Sequence, residues 1–175
     1  MNDPRYPIGR FSPPAGEITP QDLQAAIDAI AALPSELRAE TSGLTEEQLE
    51  SPYREGGWTV RQLVHHVADS HLNSYARFRK ALTEVEPLIF AYDEKAWAEL
   101  PDARHESIGI SLEMLDAIHR RWTILLRSLT PEQWKRTFRH PEKGLMRLDA
   151  TALLYAWHGH HHLAHVTNLR QRGNW

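Results

Sequence analysis

The chain of 175 residues contains no cysteine. That absence excludes disulfides, thiolate metal ligands and a cysteine nucleophile together. A transition metal here must be held by imidazole or carboxylate, and any reacting sulfur must arrive on a substrate. No apolar run approaches the roughly 18 residues of a membrane span. The opening "MNDPRYPIGRFSPPAGEI" also lacks the charged-then-apolar pattern of a secretion signal. An excess of basic residues is missing too: Lys plus Arg number 20 against 23 Asp plus Glu, a formal net charge of -3. No basic stretch interleaved with aromatics appears, which argues against nucleic acid as a partner. The expectation is a cytoplasmic protein with neither membrane nor nucleic acid as partner.

What is present reads as one globular domain over residues 1–175. Apolar residues make up 41% and charged residues 25%, an ordinary globular balance. A chain of this size buries a real core without staples. Residues 1–18 carry Pro4, Pro7, Pro13 and Pro14 and read as an extended arm. Thr19 as N-cap and Pro20 at the first helical position then start a helix, with Leu23, Ile27, Ile30 and Leu33 at helical spacing. Pro34 is expected to kink or break it. "LTEEQLESPYREGGWT" predicts one helical turn and a loop. A second long helix starts at Trp58, and "YDEKAWAELPDARHES" connects through one short helix. "ISLEMLDAIHRRWTILLRSLT" is a third long helix, ended by Thr130 and Pro131. "RTFRHPEKGLMRLD" predicts two short strands around a turn. The fourth long helix is expected to be capped by Asp149 and stopped by Gly173. The fold class is therefore all-α: an antiparallel-type four-helix bundle with a short β-hairpin before the last helix.

The fourth helix holds "YAWHGHHHLAHV", with His158, His160, His161, His162 and His165 within eight positions. At about 100° per residue, His158, His162 and His165 share a stripe with Thr151, Tyr155 and Leu169. His161 falls at its edge, and His160 points to the opposite side. His158 and His162 form the i, i+4 pair that lets two imidazoles of one helix reach one ion. Several buried polar rings without a shared partner would each cost a few kcal/mol, a penalty that a cation removes. A third ligand belongs on another helix, and "LVHHVADSH" offers His65, His66 and His71. His71 lies within the apolar stripe of Val60, Leu63, Val67 and Phe78. His66 lies at its edge beside Thr59, Gln62, Ser70, Asn73 and Arg77. Periodicity alone does not choose between His66 and His71.

"SPYREGGWTVRQLVHHVADSHLNSYARFR", "YDEKAWAELPD" and "LYAWHGHHHLAHV", in this order, resemble the YfiT-like metal-dependent hydrolases of the DinB-like superfamily. The likeness covers nearly the whole chain. It implies a four-helix bundle binding one divalent metal per chain, Zn2+ first and Ni2+ as the alternative, through three histidines. Carried onto this sequence, those are His66, His158 and His162. It also implies a cytoplasmic homodimer acting on a small molecule. The hydrolase name stands beside a similar group that resembles bacillithiol transferases, which join a low-molecular-weight thiol to an electrophile.

Three neutral imidazoles leave coordination positions open, the arrangement of a catalytic metal. Such an ion lowers the pKa of water toward about 7 for hydrolysis, or holds a thiol as thiolate for transfer. A metal- or small-ligand-binding bundle without catalysis is the third reading, and a fourth protein ligand such as His165 or Asp69 would favour it. Asp69 and His165 are the candidate catalytic residues. Asp69 lies one turn beyond His66 and is placed to orient a ligand imidazole; His165 is a candidate for proton transfer. Arg77 is expected at a surface ion pair, with anion binding beside Asn73 as the alternative. Tyr92 and Asp93 are expected to border the pocket, and Trp58 to anchor the second helix.

Overall fold

The computed structural model describes residues 3–175. Its long helices are α1 (Pro20–Thr41), α3 (Val60–Thr83), α6 (Ile108–Arg127) and α8 (Leu148–Gly173). Short helices α2 (Glu46–Leu49), α4 (Glu94–Ala98), α5 (Pro101–His105) and α7 (Pro131–Trp134) lie in the connections, with strands β1 (Thr137–His140) and β2 (Gly144–Arg147) before α8. The connection before α6 thus holds two short helices where one was expected.

Four helix starts follow one local rule. Thr19, Thr45, Thr59 and Thr130 each cap a helix, and the residue three places on (Asp22, Gln48, Gln62, Gln133) reaches back to the cap's backbone. Each box satisfies two otherwise orphaned donors. The start of α8 differs from expectation. Asp149 is not the cap: Arg147 is, because β2 runs directly into the helix and leaves no separate capping residue. Asp149 sits instead in the first turn, where its carboxylate accepts from the Ala150 amide at 2.7 Å and meets the helix dipole. At the other end Gly173 is still helical, and Asn174 ends α8 at φ 53°.

The bundle departs from a simple antiparallel order. α1 packs beside α6 and α8, and α3 beside the same two, so α1 and α3 are diagonal, as are α6 and α8. Contacts give the directions. Leu33 meets Gly159 while Arg170 reaches the Glu40 carbonyl, so α1 and α8 run parallel. His65 meets Ser111 while Phe78 meets Trp122, so α3 and α6 run parallel too. Ile30 meets His119 while Asp28 meets Arg127, an antiparallel pair. α3 and α8 are antiparallel, with His66 against His162 and Ser70 against Tyr155. Two consecutive long helices that run parallel need a connection as long as the bundle. The segment 84–107, with α4 and α5, supplies it.

The buried apolar residues form two clusters. One surrounds Ile30, Phe78, Trp122 and Leu148; the other surrounds Leu33, Leu37, Leu63, Leu115 and Val166. Between them each long helix contributes a polar group: the Ile30 carbonyl, His71, His119 and His158. The hairpin pairs Phe138 with Met146 and buries Phe138 in the first cluster. Arm residues lie on α8, with Tyr6 6.2 Å from the His161 ring and Phe11 6.0 Å from that of Trp157. Among the described residues no helix is long and apolar enough to cross a membrane.

Gly159 sets the approach of α1 to α8, because a Cβ there would lie 2.7 Å from Leu33 Cδ2. Gly159→Val is expected to lower the stability of the metal-free protein by ~1–3 kcal/mol through overpacking. Gly159→Ala should cost less, since about 1 kcal/mol of helix propensity offsets part of the clash. Urea unfolding checks both; a valine variant as stable as the parent would mean the helices part freely.

Candidate metal centre

α3 and α8 meet side by side, and their antiparallel register places His66 opposite the pair His158 and His162. One nitrogen from each ring lies within 4.8 Å of the others. The ring centroids are 4.5 Å apart for His158 and His162, 4.9 Å for His66 and His162, and 5.4 Å for His66 and His158. Trp58 packs on His66 at 4.6 Å, so the residue that leads into α3 also walls this ring. Among the described residues the group has no fourth member.

Burial keeps these rings neutral. It pushes His66 down to about 4, and pushes His158 and His162 well below the ordinary imidazole value, with the neighbouring imidazoles adding to the effect. Neutral rings are what a cation requires of imidazole donors. His162 Nδ1 is buried with no hydrogen-bond partner, a desolvation cost of ~1–3 kcal/mol that nothing in the protein returns. The donor set therefore fits a divalent ion that favours imidazole.

The remaining sequence candidates fall around this group. His160 is exposed, as its face requires. His161 is buried beneath the arm, stacked on Trp157 at 4.7 Å. His65 turns away, its Nδ1 2.7 Å from Ser111 Oγ. His165 packs on Tyr53 at 4.1 Å and lies 6.2 Å from the His162 ring, outside the three-ring group. Burial pushes it down to about 3. Asp69 is half-buried, and burial raises its carboxyl to about 6, with Asp102 adding to the rise. No ring of the triad donates to the Asp69 carboxylate. The imidazole partner is His71, whose Nε2 is 3.1 Å from His158 Nδ1.

Arg77 does not form the expected surface ion pair: among the described residues it has no carboxylate partner. Its guanidinium meets the Tyr155 hydroxyl and the Phe90 carbonyl, both at 3.3 Å, and its Nε is buried unpaired. Asn73 bonds back to the Asp69 carbonyl at 2.9 Å. Asp93 caps α4 through Lys95 and Ala96. Tyr92 stacks on Trp97 at 4.3 Å, and burial raises its phenol. The one participant that sequence reasoning missed is His119, whose signal was a single polar ring within the α6 stripe of Leu112, Leu115, Trp122 and Leu126. A groove of about 790 Å³ lies elsewhere, between arm residues Pro13 and Pro14, α1 and Trp134, and shares no residue with the triad.

A sequence profile described as the DinB superfamily matches residues 29–166. Relatives in Bacillus mycoides (strain KBAB4) and Bacillus cereus (strain ZK / E33L) are each 53% identical over 175 residues, covering 100% of both chains. Both are named "putative metal-dependent hydrolase". YfiT from Bacillus subtilis superposes with a TM-score of 0.95 at 47% identity over 98% of each chain, and is described as having an unusual four-helix bundle topology. TT2238, another four-helix bundle protein, matches at a TM-score of 0.55 and 23% identity over 81% of this chain and 94% of that one, a likeness of fold.

The depressed histidines make the metal-free protein acid-sensitive. Unfolded rings take up protons below about 6.5, whereas folded His66, His119 and His165 take them only near about 4, 4 and 3. The unfolded chain therefore binds more protons in this window, and stability falls as pH falls. Urea midpoints measured from pH 8 to pH 4.5 in chelator should hold above pH 7 and then drop with a slope of roughly three protons or more. A flat profile between pH 6.5 and 5 would show these rings to be hydrated.

Proposed function

The chain belongs to the DinB superfamily, and on that premise we propose that it is a metal-dependent hydrolase of a small molecule. The ligands are His66, His158 and His162, and zinc is the first candidate for the ion. The observation that carries this reading is the open triad: three neutral imidazoles converge from two helices, with no fourth protein ligand beside them among the described residues. A structural zinc site would be closed by four protein ligands.

When bound, a divalent ion supplies Lewis acidity and lowers the pKa of water. The chain's own residues do the rest. His66, His158 and His162 each hold one ring nitrogen bare for the ion and fix the direction from which a substrate approaches. Asp69, one turn along α3 from His66, has a carboxyl raised to about 6. A group of that pKa takes and returns a proton near neutrality, and its place one helical turn from His66 makes Asp69 our choice for the general base. His165 stays neutral at working pH and packs against Tyr53 and His161, which leaves the proton transfer to Asp69. Arg77, held against Tyr155 and free of any carboxylate among the described residues, is placed to receive the polar end of a substrate.

The test uses the metal-loaded protein on ester and amide panels, alongside an electrophile offered with and without low-molecular-weight thiols. Bound metal is quantified in parallel for His158→Ala. Expected are hydrolysis that vanishes on chelation and returns with zinc, and a His158→Ala variant that loses its metal. The variant should lose more activity than the roughly 10–100-fold typical of removing an outer hydrogen-bond partner. Conjugation seen only with thiol would replace hydrolysis by thiol transfer, and hydrolysis unaffected by chelation would overturn the metal reading.

Asp69 makes a separate prediction. As a base it works deprotonated, so activity should rise through about pH 6. Asp69→Asn should abolish that limb and lower kcat by ~10²–10⁴-fold. An unchanged pH profile in this variant would remove Asp69 from the chemistry.

A further inference from the structure

Pro34 lies four residues after Ile30 within α1. Proline has no amide hydrogen, so the Ile30 carbonyl lacks the helical donor it would otherwise meet. That carbonyl points into the bundle, 2.5 Å from His119 Nδ1. His119 Nε2 is 3.0 Å from His71 Nδ1, and His71 Nε2 is 3.1 Å from His158 Nδ1. The row crosses α1, α6, α3 and α8 in turn. His71 and His119 are 0% and 1% exposed, with no water-facing alternative for their ring nitrogens.

A neutral imidazole carries one N–H and one bare nitrogen, so hydrogen bonds along such a row have a direction. The Ile30 oxygen can only accept, so the hydrogen of His119 is on Nδ1. Its bare Nε2 accepts from His71 Nδ1–H. The bare Nε2 of His71 then accepts from His158 Nδ1–H, which leaves Nε2 as the lone-pair nitrogen of His158. We propose that this carbonyl-anchored row locks His158 in the Nδ1–H tautomer, and that His119 and His71 are positioning residues presenting its Nε2 to the ion. The proposal rests on reading the triad as a metal site. It goes beyond that reading by assigning two residues that touch no ligand atom of the triad except through His158. Without the row, the His158 ring is free to exchange its hydrogen between the two nitrogens.

The experiment has two readouts on the full chain. In metal-stripped protein labelled with ¹⁵N-histidine, long-range ¹⁵N–¹H correlations report which nitrogen of His158 bears hydrogen. In parallel, Zn2+ is titrated against a competing chelator. The wild type should show Nδ1–H at His158, His71 and His119. His119→Phe should mix the His158 tautomers and weaken Zn2+ binding by ~10–100-fold, the usual cost of losing an outer hydrogen-bond partner of a ligand. His119→Gln, whose amide has one donor and one acceptor side, should restore both. A wild-type His158 with hydrogen on Nε2 overturns the proposal. So does a folded His119→Phe with unchanged tautomer and affinity, or a folded His119→Gln that restores neither. Should His119→Phe fail to fold, the wild-type tautomer and the glutamine variant decide. A wild type with these tautomers that takes no Zn2+ overturns the metal reading itself, while the direction of the row stands.

Discussion

The hydrogen-bonded row from Ile30 through His119 and His71 to His158 joins all four long helices at one level. The two apolar clusters of the interior lie on either side of it. A ring nitrogen buried there without a partner costs ~1–3 kcal/mol, whereas a made hydrogen bond returns only ~1 kcal/mol. The row therefore acts mainly by exclusion: arrangements of the helices that misalign any one member leave two or more polar atoms stranded. It is a register device as much as a source of stability. Pro34 leaves the Ile30 carbonyl free to start it, so a residue that weakens one helix locally releases the acceptor on which a cross-bundle connection depends.

Topology explains why the triad takes two rings from one helix and one from another. α3 and α8 are antiparallel neighbours, so the i, i+4 pair on α8 faces a single point on α3, occupied by His66. Five residues along α3, His71 points toward the bundle axis and binds His158 from behind. The parallel relation of α3 and α6 puts His119 within reach of His71. The same relation requires the long connection 84–107, whose Tyr92 comes to rest near Ser70, Asp69 and Tyr155. The chain length spent on reversing direction thus also brings a half-buried tyrosine against α3 and α8.

Much of this was legible in the residues. Each capping threonine with its partner three places on marks a helix start by local chemistry, and the hairpin follows from two short β-prone runs around a turn. The 3.6-residue period put His160 outside and His158 with His162 inside, because facing depends only on position along one helix. The same period did not separate His66 from His71, since both point inward at slightly different angles. The motif resemblance selected His66, and the structure brings that ring to the pair while His71 bonds behind it. Asp149 was misread as a cap because a strand leading directly into a helix is a tertiary arrangement. Arg77 was misread as a surface ion pair because its neighbours, Tyr155 and the Phe90 carbonyl, lie on α8 and on a connecting loop.

By itself the sequence determined the helices, their buried faces, the absence of sulfur chemistry within the chain and the inward pair on α8. All of these rest on local propensity, hydrophobic period or composition. Only the tertiary structure decided which histidine lies against the α8 pair, which one bonds behind His158, that His119 joins the row, and that the Ile30 carbonyl is free to meet it. Those outcomes depend on the order and direction of neighbouring helices. Periodicity fixes the angle of a side chain about its own helix axis but says nothing of which helix lies on that side, or at what height.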